Sequence, residues 1–259
     1  MLIEADNPST YPHIMQGVVY QYISDNLSSV EAQIKEKTLD NDSDVHCAIE
    51  NYLLPYKAES LYHDLLKIVT DYEIACYHAT KVLDRRQISD HGLKVNEWSG
   101  YSEVLRKALD DLNVEDADEV MECVHKEYER KYGCVGFGPR LCFFSSLDLV
   151  DGGNFAGYDQ YCQNIGGELA RWALADTLPE ACQILKRNGS QLIVKFSLPF
   201  RDIATYQQDT ILYQFVCYYA AKYFWGWDYA VQYDGITYKD VAPNHILELI
   251  EYGKEVDYE

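Results

Sequence analysis

Basic side chains are scarce in this sequence: 22 Lys and Arg stand against 42 Asp and Glu, a formal net charge of -20. Such a surface repels phosphate backbones at long range, so bulk electrostatics cannot supply affinity for nucleic acid. A nucleic-acid substrate would need a local basic patch. The balance fits a protein with a basic partner, or plain solubility. Paired cysteines are also missing. Cys47, Cys76, Cys123, Cys134, Cys142, Cys162, Cys182 and Cys217 form no CxxC, which excludes a zinc ribbon or a thioredoxin-type motif. Several lie in apolar runs, where a reduced cysteine packs as a small hydrophobe, so a reducing cytoplasm is the expected compartment. No GxxxxGK[ST] and no HExxH occurs, so neither a P-loop nor a metal site is expected. The N-terminus lacks a basic region followed by an apolar one, and no signal peptide is expected. The most hydrophobic stretch, 211–227, is interrupted by Gln214 and Lys222 and is too short to span a bilayer. A soluble chain without a membrane segment is the expectation.

What is present can fill a core: 47% of the residues are hydrophobic, which rules out wholesale disorder. Tyr (23) far outnumbers Phe (8) and Trp (4). Tyrosine buries a ring and keeps a polar tip, which suits half-wet pockets and interfaces as well as an ordinary core. Ile14, Val18, Tyr22, Val30 and Ile34 recur at helical spacing and predict a helix from 14 to about 38. A polar connection at 39–44 follows, then a helix to about Leu54, broken by Pro55. Another helix spans 59–70, with Leu61, Leu65, Leu66 and Val69 as its apolar face. Residues 1–70 therefore read as a helical N-terminal region, distinct from 71–259.

Beyond it the pattern changes. Residues 72–79 read as a strand with Ile74, Cys76 and His78 on one face, and a short helix then stops at Gly92. Helices are predicted over 102–112 and 116–132, and a glycine-rich loop leads into the strand 141–146. A helix from Gly166, a strand over 191–199 and an aromatic helix over 211–224 follow. Asp234-Gly235 gives a hairpin signal, and a last strand starts near His245. The sum is an α+β domain with a helical N-terminal layer.

A strand histidine such as His78 is, in isolation, more often a satisfied core residue than a catalyst. Its surroundings point elsewhere. Tyr77-His78-Ala79-Thr80, then Ile88 and Gly92-Leu93, resembles the first core motif of NAD-dependent ADP-ribosyltransferases of the histidine-containing, PARP-like branch. That resemblance implies that His78 hydrogen-bonds the NAD ribose, with Ala79 and Thr80 beside it. The segment 141–146 sits where that branch has a strand ending in an aromatic pair and a small residue, here Phe143, Phe144 and Ser145. Many members place a tyrosine there; phenylalanine can stack but cannot donate a hydrogen bond. The tyrosine that stacks on nicotinamide is then implied at Tyr158 or Tyr161. Trp227-Asp228-Tyr229-Ala230-Val231 resembles the strand carrying the catalytic glutamate, with Asp228 one methylene shorter. Val241-Ala242-Pro243 and Ile246 resemble the final strand pair. Asp228 is alternatively a turn residue. Glu168 is a second candidate acid, or a residue favouring a helix start. Glu248 is a third; it shares a face with Ile246 and Ile250, where burial would raise its pKa unless it were paired.

The resemblance spans residues 72–252, and residues 1–70 have no counterpart in it. It implies an ADP-ribosyltransferase-like split β-sheet core with an added helical N-terminal region. The implied activity is a mono-ADP-ribosyltransferase that cleaves NAD and modifies a macromolecular acceptor, whether RNA, DNA or protein. Small stand-alone enzymes of this kind are often toxins, including antiphage effectors paired with an antitoxin. A carboxylate such as Asp228 would stabilise oxocarbenium character on the sugar, while His78 and Thr80 fix the ribose and an aromatic wall holds nicotinamide flat. Arg85, Arg86 and Arg140 could form a local basic groove for nucleic acid. Two other classes compete. One is a non-catalytic acidic module docking on a basic partner. The other is a cysteine hydrolase using Cys76 or Cys142 with His78, although no glycine elbow supports it.

Overall fold

The computed structural model describes residues 1–34, 59–133, 138–147, 161–226 and 234–251. Strand β1 (Leu2–Ile3) is followed by a 3-10 turn at Pro8–Thr10 and by helices α1 (His13–Ile34) and α2 (Glu59–Val69). Then come β2 (Glu73–Val82), α3 (Arg86–His91), α4 (Trp98–Asp111), α5 (Ala117–Tyr132) and β3 (Leu141–Phe144). The rest comprises α6 (Gly167–Leu174), α7 (Pro179–Arg187), β4 (Ser190–Pro199), α8 (Thr205–Ala220), β5 (Asp234–Thr237) and β6 (Ile246–Glu251). The strands form one six-stranded sheet of order β5-β3-β2-β4-β6, with β1 paired on β2. The chain is thus mixed α and β. Among the described residues no helix is long and apolar enough to cross a membrane.

Local chemistry accounts for some helix ends. Helix α5 begins with Asp118 and Glu119 and ends with Arg130 and Lys131, the order that complements the helix dipole. Helix α7 is absent from the sequence expectation, yet it obeys the same rule: Pro opens it, Glu180 lies in its first turn, and Lys186 and Arg187 lie in its last. Asp234-Gly235 was expected to make a tight turn and instead opens β5. Gly235 is not among the glycines at positive φ, and a hairpin turn on Asp-Gly requires that conformation. The first arm of that expected hairpin lies outside the described residues.

The chain divides into two compact units. The first comprises Met1–Cys76, Phe144–Asp151 and Ser197–Gly235. Within it α1, α2 and α8 pack on one another. The described helices of residues 1–70 therefore share their core with a later part of the chain. Residues 1–70 are not wholly helical either, since Leu2 and Ile3 pair in parallel with Glu73 and Ile74. Helix α2 buries Leu61, Leu65 and Val69 as its spacing requires. Helix α1 departs from expectation by one residue. Its inward stripe is Met15, Val19 and Ile23, each 0% exposed, while Ile14 is 64% exposed. Two apolar stripes lie side by side on this helix, and periodicity cannot choose between neighbours about 100° apart. Only the surfaces of α2 and α8 make the choice. A polar network anchors the first residues. Ser146 Oγ (2.9 Å) and Leu147 N (3.2 Å) donate to Asp6 Oδ2, and Tyr218 donates to Ser146 Oγ at 3.2 Å. Such buried groups persist because each finds a partner.

The second unit comprises Tyr77–Phe143, Gly152–Phe196 and Ile236–Glu259. Leu105 and Leu109 of α4, Val120 and Val124 of α5, Leu169 and Leu174 of α6, and Leu185 of α7 share one core. Each such side chain contributes about 2 kcal/mol by leaving water. Strand β6 runs antiparallel to β4, from Leu192 opposite Glu251 to Phe196 opposite Ile246, with a bulge between Lys195 and Phe196. Lys81, on β2, is 7% exposed. Its ammonium donates to the Gln163 carbonyl at 3.2 Å and to that of Lys186, in the last turn of α7. A cation there complements the negative end of the helix, while burial pulls the Lys81 pKa down.

Candidate functional site

His78 lies in the ten-residue strand β2, whose burial is nearly continuous. Alternate residues point to one face, so Cys76, His78, Thr80 and Val82 share a side. Cys76 and Val82 are buried (0% and 8% exposed), whereas His78 and Thr80 are half-buried. That face therefore opens at His78 and Thr80, about 7 Å apart along the strand. Ala79 points to the opposite face and is buried.

The state of the His78 ring follows from its contacts. Nδ1 lies 2.8 Å from the carbonyl oxygen of Cys142. A carbonyl only accepts, so the proton sits on Nδ1. Desolvation lowers the His78 pKa, and the Cys142 carbonyl opposes this only in part. The ring is therefore neutral near pH 7, and Nε2 carries a lone pair that can only accept. Sequence reasoning found the histidine but not this partner, because the contact uses a backbone atom that any residue at position 142 would supply.

The segment around β3 differs from the expected aromatic wall. Phe143 is 1% exposed and meets Phe196 edge-on, with ring centroids 6.1 Å apart. No ring face is left for nicotinamide, so Phe143 is a core residue. Phe144 is buried at 8% exposure. Ser145 is buried too, and its hydroxyl donates to the Gln214 side chain. Tyr161 is half-buried. Tyr158 and the segment 227–231, with Asp228, lie outside the described residues.

The alternative acids are accounted for by other contacts. Glu168 stands in the first turn of α6, its carboxylate 2.9 Å from Lys131 Nζ of α5. That ammonium also lies 4.9 Å from the Trp172 ring centroid, so Glu168 takes part in a tie between two helices. Glu248 is exposed, paired in register across β4–β6 with Lys195. The burial expected for it does not occur: Glu248 stands exposed on β6, an edge strand of the sheet. Cys76 is fully buried, and burial pushes its thiol well up, the reverse of an activated nucleophile. Cys142 is exposed.

The structure joins the Gly92-Leu93 turn to the segment Val241-Ala242-Pro243. Gly92 ends α3 at φ +73. Leu93 and Val241 exchange both backbone hydrogen bonds, at 3.0 and 2.8 Å. The Asp240 carboxylate accepts from Val95 N at 2.9 Å and meets Lys94 Nζ at 3.0 Å. Helix α3 also contacts the 3-10 turn at Pro243–His245. Arg85 and Glu251 add an ion pair. The turn that follows the histidine strand is thus latched to the chain just before β6.

No protein-family model, curated protein or solved structure matches the chain. The functional reading therefore stands on its residues. Among the described ones, no group of three or more His, Cys, Asp and Glu could hold a metal ion.

Proposed function

We propose that this chain is an NAD-dependent mono-ADP-ribosyltransferase with a macromolecular acceptor, on an ADP-ribosyltransferase-like split sheet. The observation that carries the reading is the His78 ring, held neutral with its proton directed to Cys142 O, on the face it shares with Thr80. A ribose diol offers hydroxyl donors and acceptors. Nε2 accepts from one hydroxyl, and the Thr80 hydroxyl can do either. The match is to the sugar rather than to nicotinamide, since Phe143 has no open face and stacking falls to Tyr161 or Tyr158.

NAD supplies an activated glycosidic bond. Its cleavage leaves oxocarbenium character at the anomeric carbon, nicotinamide departs, and a nucleophile of the acceptor forms the new bond. His78 and Thr80 hold the ribose in place, a contribution of orientation. The reading assigns to Asp228 the carboxylate that stabilises the developing positive charge. As a stand-alone enzyme of this kind, the chain acts as a toxin or antiphage effector restrained by an antitoxin.

Calorimetry with NAD and a nicotinamide-release assay test this. The intact chain binds NAD and releases nicotinamide. His78→Ala lowers release roughly tenfold or more, and Asp228→Ala roughly 100-fold, the usual cost of losing one charge-stabilising group. Absence of NAD binding and release overturns the proposal and leaves the acidic docking module.

A further inference from the structure

We infer that the outer edge of β6 docks an extended, basic segment of a partner protein by strand addition. The inference uses the sheet alone and does not depend on the transferase reading. Among the described residues β6 is the last strand in the order β5-β3-β2-β4-β6, so only its β4 side is paired. Alternate residues of such a strand turn both N–H and C=O away from the sheet, a ready template for another chain. Its register with β4 is regular from Glu248 opposite Lys195 to Glu251 opposite Leu192. The bulge lies before that run, between the pairs Phe196–Ile246 and Lys195–Glu248. Bulges disrupt pairing only locally, so Glu248–Glu251 remains a straight template. Its side chains are not sealed either. Leu249 and Ile250 are half-buried, Glu248 is exposed, and Leu247, in the bulge, is 46% exposed.

Charge selects the occupant. Strand β6 carries Glu248 and Glu251 and no lysine or arginine. Glu251 is engaged by Arg85. The Lys195 ammonium, on the residue opposite Glu248, lies over the Tyr77 ring at 5.8 Å from its centroid, and no described residue makes an ion pair with Glu248. A second copy of β6 offers no cation to that carboxylate. In the antiparallel register that overlaps the whole run, Glu248 faces the other copy's Glu251, and like charges directly opposite are destabilising. A strand with lysine or arginine at that place reverses the sign, and the net charge of -20 adds long-range attraction. Opposite Leu249 and Ile250 the fitting partner carries β-branched residues, which pack well on a pleated, half-buried surface. Backbone hydrogen bonds then hold the partner, and the cation opposite Glu248 sets its register.

The test titrates the full chain with a short fluorescent peptide, blocked at both ends, of sequence Thr-Val-Ile-Lys-Val-Thr. Two controls run beside it: the same peptide N-methylated at its central residues, and one with glutamate in place of lysine. Hydrogen exchange on the chain reads where the peptide sits. The lysine peptide is expected to bind and to slow exchange at alternate amides within Glu248–Glu251. N-methylation keeps charge and side chains but removes the strand's donors, and is expected to weaken binding roughly tenfold or more. The glutamate peptide is expected to bind roughly fivefold more weakly. Glu248→Gln is expected to abolish the preference for lysine over glutamate, and Glu248→Lys to reverse it. Equal binding of the N-methylated peptide, or protection confined to other segments, overturns the inference. A preference left unchanged by both substitutions does so too, as does failure of the lysine peptide to bind. Self-association that slows the same amides without peptide overturns it in favour of a second copy.

Discussion

Replacing Gly92 with alanine probes the latch between the turn after β2 and the chain before β6. A Cβ at this position would lie 1.9 Å from the Val241 carbonyl oxygen, and φ is +73. The left-handed conformation alone costs an alanine about 1–2 kcal/mol. The collision adds more, because backbone must retreat by over ~1 Å to reach ordinary contact. That displacement breaks the reciprocal Leu93–Val241 hydrogen bonds, at about 1 kcal/mol each. The total is roughly 3–4 kcal/mol, a large share of the ~5–15 kcal/mol that holds a typical protein folded. Urea denaturation should show a lower midpoint with an unchanged slope, and the melting temperature should drop by roughly 6–16 °C. Hydrogen exchange gives the local readout: the Leu93 and Val241 amides lose protection. A Gly92→Ala variant within 1 kcal/mol of the parent, with both amides still protected, would refute the latch.

The opposite result is expected at Gly17, which lies within α1 with nothing within 4 Å of a built Cβ. Gly17→Ala should stabilise the chain by roughly 0.5–1 kcal/mol through the unfolded-state entropy that glycine adds, read as a higher denaturation midpoint. His78 predicts a pH dependence. Its folded pKa lies below the ordinary 6.5, so below that value the unfolded chain binds more protons than the native one. Its contribution to stability is therefore full above pH 6.5 and declines as pH falls from there toward the native pKa. His78→Gln should flatten that part of the stability profile, and nitrogen NMR of the parent should report the Nδ1–H tautomer; an Nε2–H signal would contradict the Cys142 contact.

Local chemistry made much of the framework legible. The helix over Glu59–Val69 carries its own apolar stripe, α3 its stop at Gly92, and α5 acids at its start and bases at its end. These signals act over one or two turns of chain. Helix α7 carries signals of the same local kind, an opening proline and charged ends, yet the sequence expectation passed over it. His78 was singled out by its neighbours in sequence, since a motif is itself a local signal.

What the tertiary structure alone decided are contacts between distant segments. Met15 rather than Ile14 faces inward because α2 and α8 offer their surfaces on that side. Phe143 became core when Phe196 arrived against its ring, and Glu168 became part of a helix tie when Lys131 met it. The His78 proton was assigned by a carbonyl on another strand. Composition determined the acidic balance, and periodicity determined most helices and strands, because both are properties of the chain read along its length. Which equivalent apolar stripe, carboxylate or ring nitrogen is used depends on what folding brings opposite it, and no local pattern carries that information.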